Sequence, residues 1–253
     1  MVADYKNWMP KGMILGTAVA DAAAALLCLL VPFKSVQIAS GLLCLILFAA
    51  AGLMFTMYHA FDYHGKRQMS RQIIEGLAGY VTIPEGGKCL DIGCGSGALS
   101  IACAKRNPKA QITGLDRWGK KYASFSQKLC EQNAVSKGVA NVRFVHGDAV
   151  SLDFPDESFD AVTSNYVYHN IPSKNRQDIL RETLRLLKKD GTFAIHDIFS
   201  KAKYGNMNTF VKELRKAGFR EVRLIPTTEG LFMSHLESVW MGLGGSALLV
   251  GRK

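Results

Sequence analysis

Hydrophobic positions along this chain follow two regimes. From Met13 to Phe33, and again from Val36 to Met57, apolar residues run almost unbroken. Each run is about twenty residues long, enough to cross the hydrocarbon of a bilayer as a helix. Asp21 is the only charge in the first run, and the second has none. Lys34 and Ser35 alone separate them, with Pro32 just before, so the pattern predicts a tight antiparallel hairpin with both ends on one side. Beyond Asp62–Lys66 the pattern changes. Ile73, Ile74, Leu77 and Tyr80 form a stripe of helical period over residues 69–80. Short apolar runs then alternate with helix-like segments: CLDI from Cys89, ITGLD from Ile112, NVRFV from Asn141, SFDAVTS from Ser158, TFAIHDIF from Thr192, REVRLIP from Arg220 and SALLV from Ser246. Strands alternating with helices predict an α/β fold with a mostly parallel sheet. The chain therefore divides into residues 1–64, with spans near 13–33 and 36–57, and a globular domain over residues 65–253.

Charge refines this division. The chain has a formal net charge of +10. Lys6 and Lys11 precede the hairpin, and Lys66, Arg67 and Arg71 follow it, so both ends carry the positive charge typical of the cytoplasmic side. Trp8, Tyr58 and Tyr63 stand where an aromatic belt would sit. The expectation is an integral membrane protein of a prokaryotic plasma membrane, with its globular domain in the cytoplasm and residues 13–57 in lipid. Two other readings stay open: a cleaved signal peptide, since Ala20-Asp21-Ala22 loosely resembles a processing site, and a soluble helical hairpin. Asp21 is costly at the middle of a span; hairpin geometry sets Phe48 and Ala51 at its level. Gly16, Ala20 and Ala24 form a small-residue stripe suited to close helix packing, which admits a homo-oligomer. The remaining basic residues suit nucleic acid, an anionic membrane surface or solvated helix faces, the last being the usual explanation for scattered pairs. Six cysteines include no C-x-x-C and no metal-ligand spacing, so no metal is expected and a reduced compartment fits.

The densest chemistry lies in CLDIGCGSGALS, residues 89–100. Gly93, Gly95 and Gly97 alternate through a turn between a strand and a helix start, where backbone N–H groups can approach a ligand closely. Gly93, Gly95 and Ala98 also satisfy the G-x-G-x-x-G/A dinucleotide spacing. Asp91, two positions before the first glycine, suits a pyrophosphate poorly and a ligand ammonium well. Asp116, ending the next apolar run, suits ribose hydroxyls. With Asp91, the third glycine and Asp116, the run resembles motif I and its successor in class I S-adenosylmethionine (SAM)-dependent methyltransferases. Gly147-Asp148-Ala149, the SFDAVTSNYVYHNI run, the Lys189-Asp190-Gly191 turn (where Lys-Pro-Gly-Gly is usual) and the two last apolar runs follow in that family's order, from Arg67 to Lys253.

The resemblance implies a Rossmann-like, seven-stranded, mostly parallel sheet with an antiparallel last strand, and SAM as cofactor. It implies that Gly93, Gly95 and Gly97 shape the cofactor turn, with Cys94 within it, and that Asp91 favours the methionine end. It further implies that Asp116 takes the ribose, with Arg117 beside it at the cofactor, that Asp148 and Ala149 address the adenine, and that Asn165 and Tyr166 contact the methionine end or the incoming substrate. Trp118 flanks the adenine or packs. A leading helix, residues 69–80, covers the cleft.

Catalytic candidates lie in the loops over the methyl group. His169, in the Ser164-to-Ile171 segment that resembles quinone-type and other small-molecule methyltransferases, is either a general base or a structural histidine. His196 and Asp197 end the fifth strand, and each is either a base or a cap. Tyr166 and Tyr168 line a pocket or pack the core. Asn165-Tyr166-Val167-Tyr168 departs from the Asn-Pro-Pro-Tyr pattern of nucleic-acid amino methylation, and no Pro-Cys pair is present, so no DNA partner is expected. The expected function is methyl transfer from SAM to a small or lipid-like acceptor. A noncatalytic SAM-binding membrane sensor or assembly factor, and an RNA methyltransferase, are the alternatives.

Overall fold

The computed structural model describes residues 2–119, 124–173 and 175–253. It separates into a helical unit, Asn7–Arg71, and an α/β unit made of Gln72–Lys253 together with the residues before Asn7. The sequence pattern places a boundary near residue 64; the residues before Asn7 and those up to Arg71 fall on the other side of this division. Ala3 and Tyr5 are buried. Asn133 is the reason: its Oδ1 accepts the Asp4 N–H (2.7 Å), and its Nδ2 donates to the Asp4 carbonyl (2.9 Å).

In the helical unit, α1 (Lys11–Leu30) and α2 (Lys34–Phe61) are each long and apolar enough to cross a membrane, and few of their side chains are buried. The first helix stops three residues earlier than the apolar run. Pro32 lacks an N–H and holds Val31 extended (ψ 127°), which ends the helix before Phe33. The second runs four residues past the apolar stretch, to Phe61. The hairpin is antiparallel, with Thr17 Oγ1 3.7 Å from Met54 Sδ and the Cys28 thiol donating to the Gln37 carbonyl. Asp21 lies against Cys44, a neighbour that the expected Phe48 and Ala51 did not include, and its Oδ1 has no hydrogen-bond partner. Ala24 of the small-residue stripe is buried, while Gly16 has nothing within 4 Å of a built Cβ.

The α/β unit is a seven-stranded sheet in the order β3-β2-β1-β4-β5-β7-β6. Its strands are β1 (Lys88–Ile92), β2 (Gln111–Asp116), β3 (Val142–His146), β4 (Phe159–Asn165), β5 (Leu187–Ile198), β6 (Arg220–Pro226) and β7 (Ser246–Arg252). Pairs among the first five are parallel; β7 is antiparallel to both β5 and β6, as expected. Helices α4 (Ala98–Arg106), α5 (Gln127–Ser136) and α6 (Arg176–Arg185) form the crossovers that parallel pairing requires, and α8 (Met207–Lys216) precedes β6. The leading helix α3 (Met69–Ala78) buries Ile73, Ile74 and Leu77 as its stripe predicts; Tyr80 lies past its end. One core of Leu90, Ile92, Val162, Leu180, Phe193, Ile195, Phe210 and Leu249 joins the sheet to α6 and α8.

The Lys189-Asp190-Gly191 turn is not a separate turn. Strand β5 begins at Leu187 and absorbs it as an irregularity, with the β4–β5 register shifting between Phe159 and Ala161 and Asp190 at φ +66°. Strand order reverses between β1 and β4. The crevice at the C-terminal ends of these strands is where open α/β sheets bind ligands.

Candidate cofactor and acceptor site

The glycine turn leaves β1 at Ile92 and enters α4 at Ala98. Gly93, Gly95 and Gly97 all have positive φ (72°, 56° and 80°), a backbone region that side chains with a Cβ rarely adopt. They differ in surroundings. A Cβ on Gly93 would meet Val167 at 2.2 Å, and one on Gly97 would meet Phe144 at 2.9 Å. Beside Gly95 the nearest described atoms, of Phe125, are 3.9 Å away, so there is room for a close approach at this glycine, although its N–H and carbonyl are both hydrogen-bonded within the chain. The Gly93 and Cys94 N–H groups both donate to the Leu115 carbonyl, which ties the turn to the end of β2.

Asp116 ends β2 and holds the same turn. Its Oδ2 accepts the Gly95 N–H (2.9 Å) and its Oδ1 the Trp118 N–H (2.7 Å). A carboxylate has about four acceptor sites, so lone pairs remain for ligand hydroxyls. Trp118 donates its indole N–H to the Gly95 carbonyl (3.0 Å), which stands it beside the turn. Arg117 lies 3.6 Å from Asp148, whose Oδ1 accepts the Val150 N–H; Ala149 is buried next to it.

Asp91 is more enclosed than the sequence suggests. It is 1% exposed, its Oδ2 accepts from Ser100 Oγ (2.6 Å) and its Oδ1 from Thr163 Oγ1 (3.0 Å). Burial raises its pKa from 3.8 to about 7, against the opposing pull of these two hydroxyls. Cys94 is buried, and burial pushes its thiol well up, so it is no poised nucleophile.

At the C-terminal ends of β4 and β5, two histidines take different positions. His196 is fully buried; its Nδ1 lies 2.8 Å from Asn165 Oδ1 and its Nε2 3.0 Å from Thr227 Oγ1. Burial lowers its pKa to about 3. With both ring nitrogens engaged and no exposed edge, His196 does not meet the requirements of a substrate base, and Asn165 is occupied in holding it. His169 is different. Its side chain is 15% exposed, and its Nδ1 lies 2.6 Å from Oδ1 of the fully buried Asp197. The Asp197 carboxylate also accepts backbone N–H groups from Tyr168, His169 and Ile198. Four donors converge on it, which fixes Nδ1–H toward Asp197 and leaves the Nε2 lone pair as the available base.

Tyr166 sits between the histidines. Its ring centroid is 4.5 Å from that of His196 and 6.0 Å from that of His169, and its hydroxyl is 2.9 Å from Ser246 Oγ. It adopts φ +54°, and its N–H donates to the His196 carbonyl. Burial raises its phenol above the ordinary value, so Tyr166 remains a hydroxyl rather than a base. Tyr168 is core, bonded to Thr183.

Sequence reasoning missed three contributors: Asp197 as the partner of His169, and Thr227 and Ser246 from the ends of β6 and β7. No local spacing links them to the residues they touch. Among the described residues no three His, Cys, Asp or Glu side chains gather as metal ligands.

Residues 90–195 match the model of a methyltransferase domain. A demethylmenaquinone methyltransferase of Geobacillus stearothermophilus is 34% identical over 112 residues, which cover 44% of this chain and 45% of that one. The chain thus spans less than half the length of this curated relative. Among solved structures, the [4+2]-cyclase SpnF superposes with a TM-score of 0.56 at 20% identity, covering 76% of this chain and 85% of that one. Phosphoethanolamine N-methyltransferase 2 of Haemonchus contortus, solved with SAM, gives 0.53 at 16%, covering 77% and 56%. At these identities the superpositions speak for the fold. Residues 90–195, which hold the glycine turn, Asp116, Asp148 and His169, are therefore similar to a methyltransferase domain, and the cofactor of that domain class is SAM.

Proposed function

We propose that this chain is a membrane-anchored methyltransferase that transfers the methyl group of SAM to a small lipophilic acceptor with an ionisable proton, a hydroquinone being the favoured type. The observation that carries the reading is the His169–Asp197 pair, set at the same end of the sheet as the glycine turn. The space beside Gly95 and the spare acceptor sites of Asp116 fit the cofactor's ribose and methionine portions. The relatives' name supplies the quinone class, and α1 and α2, long and apolar, supply the anchor.

When bound, SAM supplies a methyl group already activated by its sulfonium. The protein's tasks are orientation, exclusion of water and removal of one proton. His169 Nε2 takes the proton from the acceptor hydroxyl, and Asp197 stabilises the imidazolium that results. Removal of that proton would leave the acceptor nucleophilic toward the methyl group that bound SAM would supply. Tyr166, fixed by Ser246, lines the pocket, and His196 holds Asn165 in place. Asp91, enclosed near the end of β1 by Ser100 and Thr163, acts on the cofactor's ammonium from behind the turn.

The test is transfer of labelled methyl from SAM into a demethylated naphthohydroquinone in lipid nanodiscs, with total RNA run in parallel. Label in the quinone supports the reading. Label only in RNA overturns it, and bound SAM without any label favours a noncatalytic sensor.

A further inference from the structure

Among the described residues of the α/β unit, six large apolar side chains stand exposed: Val2, Val135, Val150, Leu231, Leu236 and Val239. The last three lie within nine residues of each other, in the connection between β6 and β7. There the short helix α9 (His235–Trp240) sets Leu236 and Val239 on one face, 76% and 62% exposed, while Ser238 faces inward. A capping box of Ser234 and Glu237 fixes the helix start, so these side chains are displayed by an ordered element. From Pro226 to Gly251 the sequence contains no Lys or Arg. This connection therefore contributes no lysine or arginine of its own that could attract phosphate.

The same connection leads into the site. Phe232 is buried, its ring 5.6 Å from that of His196, and it lies so close to α3 that a Cβ on Gly76 would meet it at 2.6 Å. Helix α3 is the first element after the linker Asp62–Gln68 that follows α2. Seven extended residues reach at most about 25 Å, and the four of Asn7–Pro10 at the other end of the hairpin about 14 Å. Both ends of the hairpin thus lead into the α/β unit by short tethers, and one of them into the helix that carries the exposed connection.

We propose that the Leu231, Leu236 and Val239 surface rests on the lipid bilayer and forms the entrance through which a lipophilic acceptor reaches His169. The entrance rests on the acceptor reading above; the lipid contact does not. A neutral bilayer is the occupant that matches an apolar face without cations, presented on a chain with two membrane-length helices. Apolar contact of this kind is insensitive to salt, unlike a basic patch.

The full chain in phosphatidylcholine nanodiscs tests it. An environment-sensitive fluorophore at Leu236→Cys is compared with one at Val135→Cys on α5, with labelling of the unsubstituted chain as background. Nitroxide-bearing lipids should quench the Leu236 probe several-fold more than the Val135 probe, and raised salt should not reverse this. Equal quenching overturns the lipid contact, whether or not the chain proves to be a methyltransferase. For the entrance, L236E/V239E should leave SAM affinity unchanged and reduce transfer to a long-tailed hydroquinone in the bilayer several-fold. Transfer to a tail-less analogue should be unaffected. Equal loss with both acceptors overturns the entrance while transfer by the unsubstituted chain keeps the functional reading intact.

Discussion

His169 Nδ1 lies 2.6 Å from Asp197 Oδ1 although the two residues are separated by an entire helix and strand. The adjacency of β4 and β5 makes the pair: Asn165 is level with His196, so the turn after one strand faces the last residues of the other. The pair joins a partly exposed imidazole to a fully buried carboxylate, and the proposed base role rests on it.

Replacing His169 with Gln should therefore lower kcat by about 10²–10⁴-fold and leave SAM affinity within about threefold. A variant that keeps the rate would show His169 to be only structural.

Asp116→Ala should weaken SAM binding by about 1–3 kcal/mol, because it removes a charged acceptor and frees the Gly95 N–H that shapes the turn. Calorimetric titration reads this directly. Unchanged affinity would remove Asp116 from the cofactor site.

Asp91 gives a pH dependence of known sign. Its pKa rises from 3.8 to about 7 on folding, because burial disfavours the charge. The folded chain then holds a proton that the unfolded chain has released, so stability from this group is greatest below 3.8 and falls as pH rises toward 7, by at most about 1.4 kcal/mol per pH unit. His196, lowered from 6.5 to about 3, acts oppositely: its contribution is full above 6.5 and is lost as pH falls from there. Thermal melts of Asp91→Asn against the unsubstituted chain isolate the first effect; parallel curves from about pH 5 to 8 would contradict it. If Asp91 receives the ammonium, SAM binding should also tighten as pH rises toward 7 in the parent and not in the variant.

Asn133→Ala should destabilise the α/β unit by about 1–3 kcal/mol, since the amide serves Asp4 N–H, the Asp4 carbonyl and the Ser96 carbonyl while almost fully buried. Limited proteolysis should then cut ahead of Asn7 sooner than in the parent. An unchanged melting temperature and cleavage rate would mean the leading residues hold themselves.

Local patterns determined much of this protein. The two apolar runs dictate α1 and α2, because an unbroken apolar segment has one helical solution and Pro32 must interrupt it. The alternation of strands and helices dictates a parallel sheet, and Gly93, Gly95 and Gly97 dictate the turn, since positive φ is a local property. Contacts between distant segments were decided only in three dimensions. Asp91 looks like an open ligand group in sequence and proves to be enclosed by Ser100 and Thr163. His169 and His196 look equivalent, each beside a strand end; Asn165 and Thr227 close one, and Asp197 primes the other. The residues before Asn7 read as part of the anchor, yet Asp4 and Tyr5 hydrogen-bond to Asn133 and Ser96 of the α/β unit. Sequence period fixes which element forms and which face it buries; which distant side chain satisfies a buried polar atom depends on strand order and register, and that is a property of the folded sheet.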